Sequence, residues 1–160
     1  MFKMSQGMAD QIAKDLATQF TSCVIGIYSD VQPDDGNAAE NGTLLCWITL
    51  GGLAKSDPMT VTNGLLLDIS TISYDGTTLI LQISKPTAAV WKGDPIANGT
   101  IGYGRVYDID VDTGLSATAQ RFDGSAGVSS GQFQLSSSKC EIGVPLVVNS
   151  FTIKIPLTRR

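Results

Sequence analysis

The chain contains no histidine. That absence removes the commonest general base near neutral pH and a major ligand of transition metals. Ser-His-Asp and Cys-His arrangements are excluded with it. Charge is scarce as well: Lys, Arg, Asp and Glu make up 16% of 160 residues, and the net charge is −4. The only adjacent basic pair is Arg159-Arg160. A nucleic-acid binder needs clustered positive surface, so direct DNA or RNA contact is not expected. Long apolar runs are missing too. None approaches the roughly 20 residues of a membrane-spanning helix, and no membrane contact is expected. Met1–Ser5 does not read as a secretory leader, because Asp10, Lys14 and Asp15 follow at once.

Cysteine is sparse and odd in number: Cys23, Cys46 and Cys140. Such a count gives no disulfide framework. Cys23 and Cys46 sit in apolar alternating runs, where a thiol behaves as a small hydrophobe. They could pair only if their strands are neighbours. A reducing assembly compartment is the simpler reading.

What is present describes one folded domain. A chain of this length suits a single domain and can bury roughly 68–70% of its unfolded surface. Hydrophobic residues make up 42% of it. With so little charge, the surface is either partly covered by a partner or a solvated Ser/Thr/Asn-rich one.

Residues 1–7 read as a loose arm. Over 8–20, Met8, Ile12, Leu16 and Phe20 recur every fourth position with Ala9, Ala13 and Ala17 alongside, which predicts an amphipathic helix. Gly7 could mark its start, and Asp10 suits its positive N-terminal end. The helix is expected to cap its own domain or dock on a neighbouring subunit.

From Ser22 the period changes to two. Strands are predicted at Ser22–Ser29, Thr43–Leu50, Leu65–Ser70, Thr77–Ser84, Thr100–Asp110, Ala117–Phe122, Gln132–Ser136 and Leu146–Ile155. Thr43–Leu50 is apolar on both faces and so central. Asp75-Gly76 signals a hairpin. In Thr100–Asp110 the residues Ile101, Tyr103, Arg105 and Tyr107 share a face. Gly102 and Gly104 lie opposite, where another backbone could approach. Lys85–Gly99 reads as irregular, Asp123–Gly131 as a Gly/Ser-rich connector, and Pro156 as the end of the last ladder. The fold class is all-β: a single β-sandwich or jelly-roll domain with one short N-terminal helix, a closed barrel being the alternative. The arm and helix occupy residues 1–21 and the β-sandwich domain 22–160.

Chemistry is thinly marked. Asp108, Asp110, Asp112 and Gly114 resemble the start of a calcium loop, but the glycine falls one position late and Ala119 stands where the bidentate glutamate belongs. A strand end with its Asp side chains in water, and Ile109 and Val111 inward, explains the pattern better. Asp34, Asp35 and Glu40 read as an exposed acidic loop. No nucleophile elbow or Ser-x-x-Lys signature is present. No catalytic residue, metal or cofactor is assigned, and the chain is not expected to be an enzyme. The best contact residues are Val90, Trp91 and Lys92, whose apolar group could anchor an interface or fold back on the core, together with Phe2 and Met4 of the arm. Trp91, Tyr103 and Tyr107 could alternatively stack on a sugar.

The order of features resembles a family of small virion proteins of tailed bacteriophages. An N-terminal helix (Asp15–Phe20) precedes a strand (Val24–Tyr28), a loop with Gln32-Pro33 and a Leu-Leu strand (Thr43–Leu50). Gly99–Asp108 looks like the family's Gly-to-Arg strand, and Arg121–Gly127 like its glycine turn. Gln132–Leu135, Ile142-Gly143 and Asn149–Ile153 complete the pattern. The Asp110–Thr118 connection and the stretch Lys85–Trp91 depart from it. The resemblance covers most of the chain and implies a β-sandwich virion component without catalytic residues. The leading expectation is a capsid decoration or cement protein, assembled in the host cytoplasm. It would bind the major capsid protein and other virion proteins as a dimer or trimer. A neck, tail or fibre component is the second reading, and a carbohydrate-binding module the third.

Overall fold

The structure, a computed structural model, describes residues 4–74 and 78–159. Helix α1 spans Gln6–Gln19. It starts earlier than the sequence predicts, because the Ser5 side chain caps it by accepting from the Met8 amide. The strands are β1 Thr21–Tyr28, β2 Leu44–Leu50, β3 Leu65–Leu66, β4 Asp68–Tyr74, β5 Thr78–Ser84 and β6 Trp91–Gly93. They continue as β7 Gly99–Thr100, β8 Tyr103–Tyr107, β9 Arg121–Gly127, β10 Phe133–Leu135, β11 Lys139–Cys140 and β12 Leu146–Arg159.

The all-β expectation is met, and the described sheet closes on itself. Its neighbours run β10-β9-β8-β1-β2-β6-β12, and β12 pairs with β10 again, giving a ring of seven strands. Around that ring only β9 and β10 run parallel. The pairing is thus that of the closed barrel rather than of two separate sheets. β5 and β4 continue the sheet beyond the ring, along the C-terminal half of β12. The Asp75-Gly76 turn between them lies outside the described residues, but its strands do pair as an antiparallel hairpin. β3 adds to the start of β1, and β7 pairs with β11 separately.

Alternation decides which side chains enter the ring. Cys23, Ile25 and Ile27 of β1 point inward, and the register sets Ile25 beside Ile48 and Val106. Phe133 stacks on Phe151 at 4.7 Å between centroids, and Phe20 at the end of α1 meets Phe122 edge-on at 5.1 Å. The inward glycines Gly104 and Gly124 face each other across β8 and β9. A Cβ on either would stand 2.9 or 2.7 Å from the Phe133 ring. An aromatic ring, not a backbone, occupies the space predicted at Gly104. At Gly102 the backbone prediction holds, because a Cβ there would collide with the Asp30 carbonyl.

Four other expectations are corrected. The glycine-rich segment after Asp123 is mostly strand, and Gly124 within it makes room for Phe133. Irregular Lys85–Gly99 contains the barrel strand β6. β12 runs on through Pro156, which an edge strand tolerates, with a register shift between Pro156 and Thr158. Helix α1 buries Ala9 and Ala13 rather than Met8, which is 53% exposed. Small side chains let it lie close on β4, where Gln6 and Asp10 both bond Thr71. The helix therefore packs on its own domain. β2 is central, as predicted, with Leu45 and Cys46 buried on opposite faces.

Candidate functional site

The outer face of the barrel at β1, β8 and β9 is also buried. Tyr28, Tyr103, Arg105 and Tyr107 all point away from the core, and a second apolar cluster with Val24 and Met59 forms around the tyrosines. Gly26 permits this layer, since a Cβ there would stand 2.8 Å from the Tyr28 ring. Arg105 is completely buried. A buried guanidinium without a partner is strongly destabilising, and here two carboxylates meet it. Asp123, directly opposite on β9, takes Nε and Nη2, the latter at 2.8 Å. Glu40 takes Nη1 at 3.1 Å, and the Ala38 carbonyl accepts from the same nitrogen.

Glu40 is the hub. Its Oε1 accepts from the Tyr107 hydroxyl at 2.6 Å, and its Oε2 from the Gly114 amide at 2.7 Å. Tyr28 and Tyr107 share a hydroxyl–hydroxyl bond of 2.7 Å. Arg121 completes the cluster by donating to the carbonyls of Gly36, Asn37, Ala38, Asp112 and Gly114. Two long connections, 29–43 and 108–120, are thereby tied to β8 and β9.

The electrostatics follow from burial and these bonds. Desolvation alone would raise the Glu40 carboxyl, but bonds from Tyr107 and Gly114 and the Arg105 charge hold it below the usual glutamate range. Burial pushes the Tyr28 phenol up to about 12. Burial, then Glu40 and Tyr28, drive Tyr107 far higher, so it stays a neutral donor. Desolvation works against the Arg105 charge, yet Asp123 and Glu40 hold the guanidinium protonated. Near neutral pH this cluster is an ionised, fully engaged clamp, and its donors and acceptors are spent on loop attachment.

The predicted contact residues are dispersed. Phe2 lies outside the described residues. Met4 is half-buried just before α1. Val90 is 55% exposed. Trp91 is wholly buried beside Phe151, so the apolar stretch folds back on the core instead of presenting an anchor. Its indole Nε1 has no hydrogen-bond partner among the described residues. Lys92 lays its stem against Gly52. Tyr103 and Tyr107 are buried with Trp91, so none of the three rings proposed for sugar stacking offers a face.

The Asp108–Asp112 stretch is not a strand. β8 stops at Tyr107, and Asp108 forms a turn by accepting from the Asp110 amide. Its other oxygen accepts from Gln19. Val111 packs on the outer tyrosine cluster, but Ile109 is 40% exposed. Among the described residues no three potential metal-ligating side chains cluster. Asp34 and Asp35 are exposed as predicted, whereas Glu40 is not. The missed signal was Arg105: a cation in a strand bound for burial on both faces requires a carboxylate, and the turn-rich loop held one.

Cys23 and Cys46 do lie on neighbouring strands, but Cys46 stands opposite Ile27. Four residues of strand separate it from Cys23, roughly 13 Å at the usual rise, too far for a disulfide. All three thiols are free and buried. No described helix is long and apolar enough to cross a membrane.

Comparison with protein-family models, curated proteins and solved structures finds no match.

Proposed function

We propose that this chain is a structural protein of a tailed-bacteriophage virion, acting as a decoration or cement protein on the assembled head. One observation carries the reading. The buried charged clamp is spent on making long loops rigid, while apolar side chains stand outward on the loops. Val31 is 73% and Leu115 83% exposed. Rigid loops with apolar tips suit a protein that works by contact, since ordering them costs little further entropy on binding. The glycine-marked order from Gly99 to Ile153, with its likeness to small virion proteins, supplies the class of partner. In this reading the curved halves of the barrel, packed across one core, stand in for the two layers of the family's sandwich. The partners are the major capsid protein and further copies of the chain.

The test is to localise the chain in purified particles by cryo-electron microscopy and count its copies against the major capsid protein. Copies in stoichiometric ratio on the head surface are expected. A few copies at the neck or tail would favour the second virion reading, and absence from particles overturns both.

A further inference from the structure

The three-stranded extension β12-β5-β4 has two open edges, and they differ. Beyond Thr152 the free side of β12 carries Lys154, Pro156 and the register shift after Pro156. Lysine, proline and a bulge are the devices that keep an edge strand from pairing with another chain. The β4 edge has none of them. Asp68–Tyr74 reads DISTISY, free of Lys, Arg and Pro, and its register with β5 is unbroken from Asp68 to Tyr74. Among the described residues, no backbone hydrogen bond from any element other than β5 reaches Ile69–Ile72. Ile69, Ser70, Thr71 and Ile72 are half-buried, and among the described residues no strand pairs with the side of β4 away from β5.

We infer that β4 is the dimerisation edge of this protein, pairing antiparallel with β4 of a second copy about a two-fold axis at Thr71. The strand is self-complementary in that register. Thr71 meets its own copy on the axis, with its hydroxyl already held by Gln6 and Asp10 of α1, and Ser70 meets Ile72 twice. The strand's one charge, Asp68, falls at opposite ends of the pair. The two carboxylates are then about six residues, or roughly 20 Å, apart, beyond the screening length of roughly 8 Å at physiological salt. A two-fold perpendicular to the sheet keeps the same face on the same side. Six strands become continuous, and the two α1 helices cover one face together. The isologous pair closes, so it adds no third copy through β4. This deepens the oligomer named in the proposed function but rests on sheet geometry alone.

Light scattering coupled to size exclusion, over a dilution series, tests it. The intact chain should run at twice its 16.9 kDa mass. The double variant Ser70→Lys with Ile72→Lys sets lysine against lysine twice across the axis and should dissociate at least about tenfold more readily, while Lys154→Glu on the β12 edge leaves the dimer intact. A monomer at every concentration, a trimer, or a dimer indifferent to the double variant overturns the inference. Hydrogen exchange of the intact chain decides the matter if the variant fails to fold. Protection of the Ile69–Ile72 amides should rise with concentration, and protection independent of concentration overturns the inference. A missing dimer would leave the particle test above unaffected, and absence from particles would leave the dimer unaffected.

Discussion

Arg105 illustrates how one residue commits a large part of a chain. Its place in β8 is set by alternation, and the outward side of that strand is roofed by loops instead of water. Negative charge must then meet the guanidinium, and Glu40 from the roof and Asp123 from neighbouring β9 do so. Truncating Arg105→Ala should cost about 3–5 kcal/mol, because it strands buried carboxylates; urea unfolding would measure it, and a loss within the range of surface substitutions would refute the clamp. Glu40→Gln keeps the shape and should cost less, about 1–3 kcal/mol. The pH dependence has a definite sign. The folded Glu40 carboxyl titrates below its unfolded value, so its contribution is complete above the unfolded value and is lost as pH falls through the folded one. Stability measured from neutral to acid pH should therefore decline, and Glu40→Gln should flatten that decline. An unchanged acid limb in the variant would assign the proton uptake elsewhere.

Among the elements, legibility depended on whether a pattern was local. β1, β2 and β5 were readable almost to the residue, because alternation and turn residues bound them. The helix was readable in existence and in most of its apolar face, since Ala9, Ala13 and Phe20 are buried and Leu16 packs on the core, whereas Met8, marked by the same spacing, stands exposed. β9 was misread because its glycines looked like a connector. The reason for Gly124 lies on another strand, in the Phe133 ring, and no local signal announces it. Gly104→Ala should accordingly cost about 1–3 kcal/mol by overpacking. In a double-mutant cycle Phe133→Leu should relieve much of that cost, though it is destabilising alone. Additive losses at the two positions would mean that the glycine serves some other purpose.

Closure of the whole barrel was the least legible feature. The closing strand β10 has three residues, and it joins β9 in parallel and β12 antiparallel. Strand order across such distances is written in no periodicity, which is why sandwich and barrel looked alike from the sequence. Closure predicts how the molecule opens. Cys23 and Cys46 face the core from β1 and β2, adjacent staves of the ring, and burial raises both thiols to about 12. Cys140 is raised to about 11 but sits on β11, whose ladder with β7 is two residues long and lies outside the ring. Thiolate forms only where burial is relieved, so alkylation reports opening. Under native conditions, peptide mapping by mass spectrometry should find Cys23 and Cys46 labelled at one common, slow rate that matches global unfolding. Cys140 should label faster, through local loss of the β7–β11 pair. A closed ring cannot release β1 without releasing β2, so widely different rates at Cys23 and Cys46 would show that the barrel does not open as one unit.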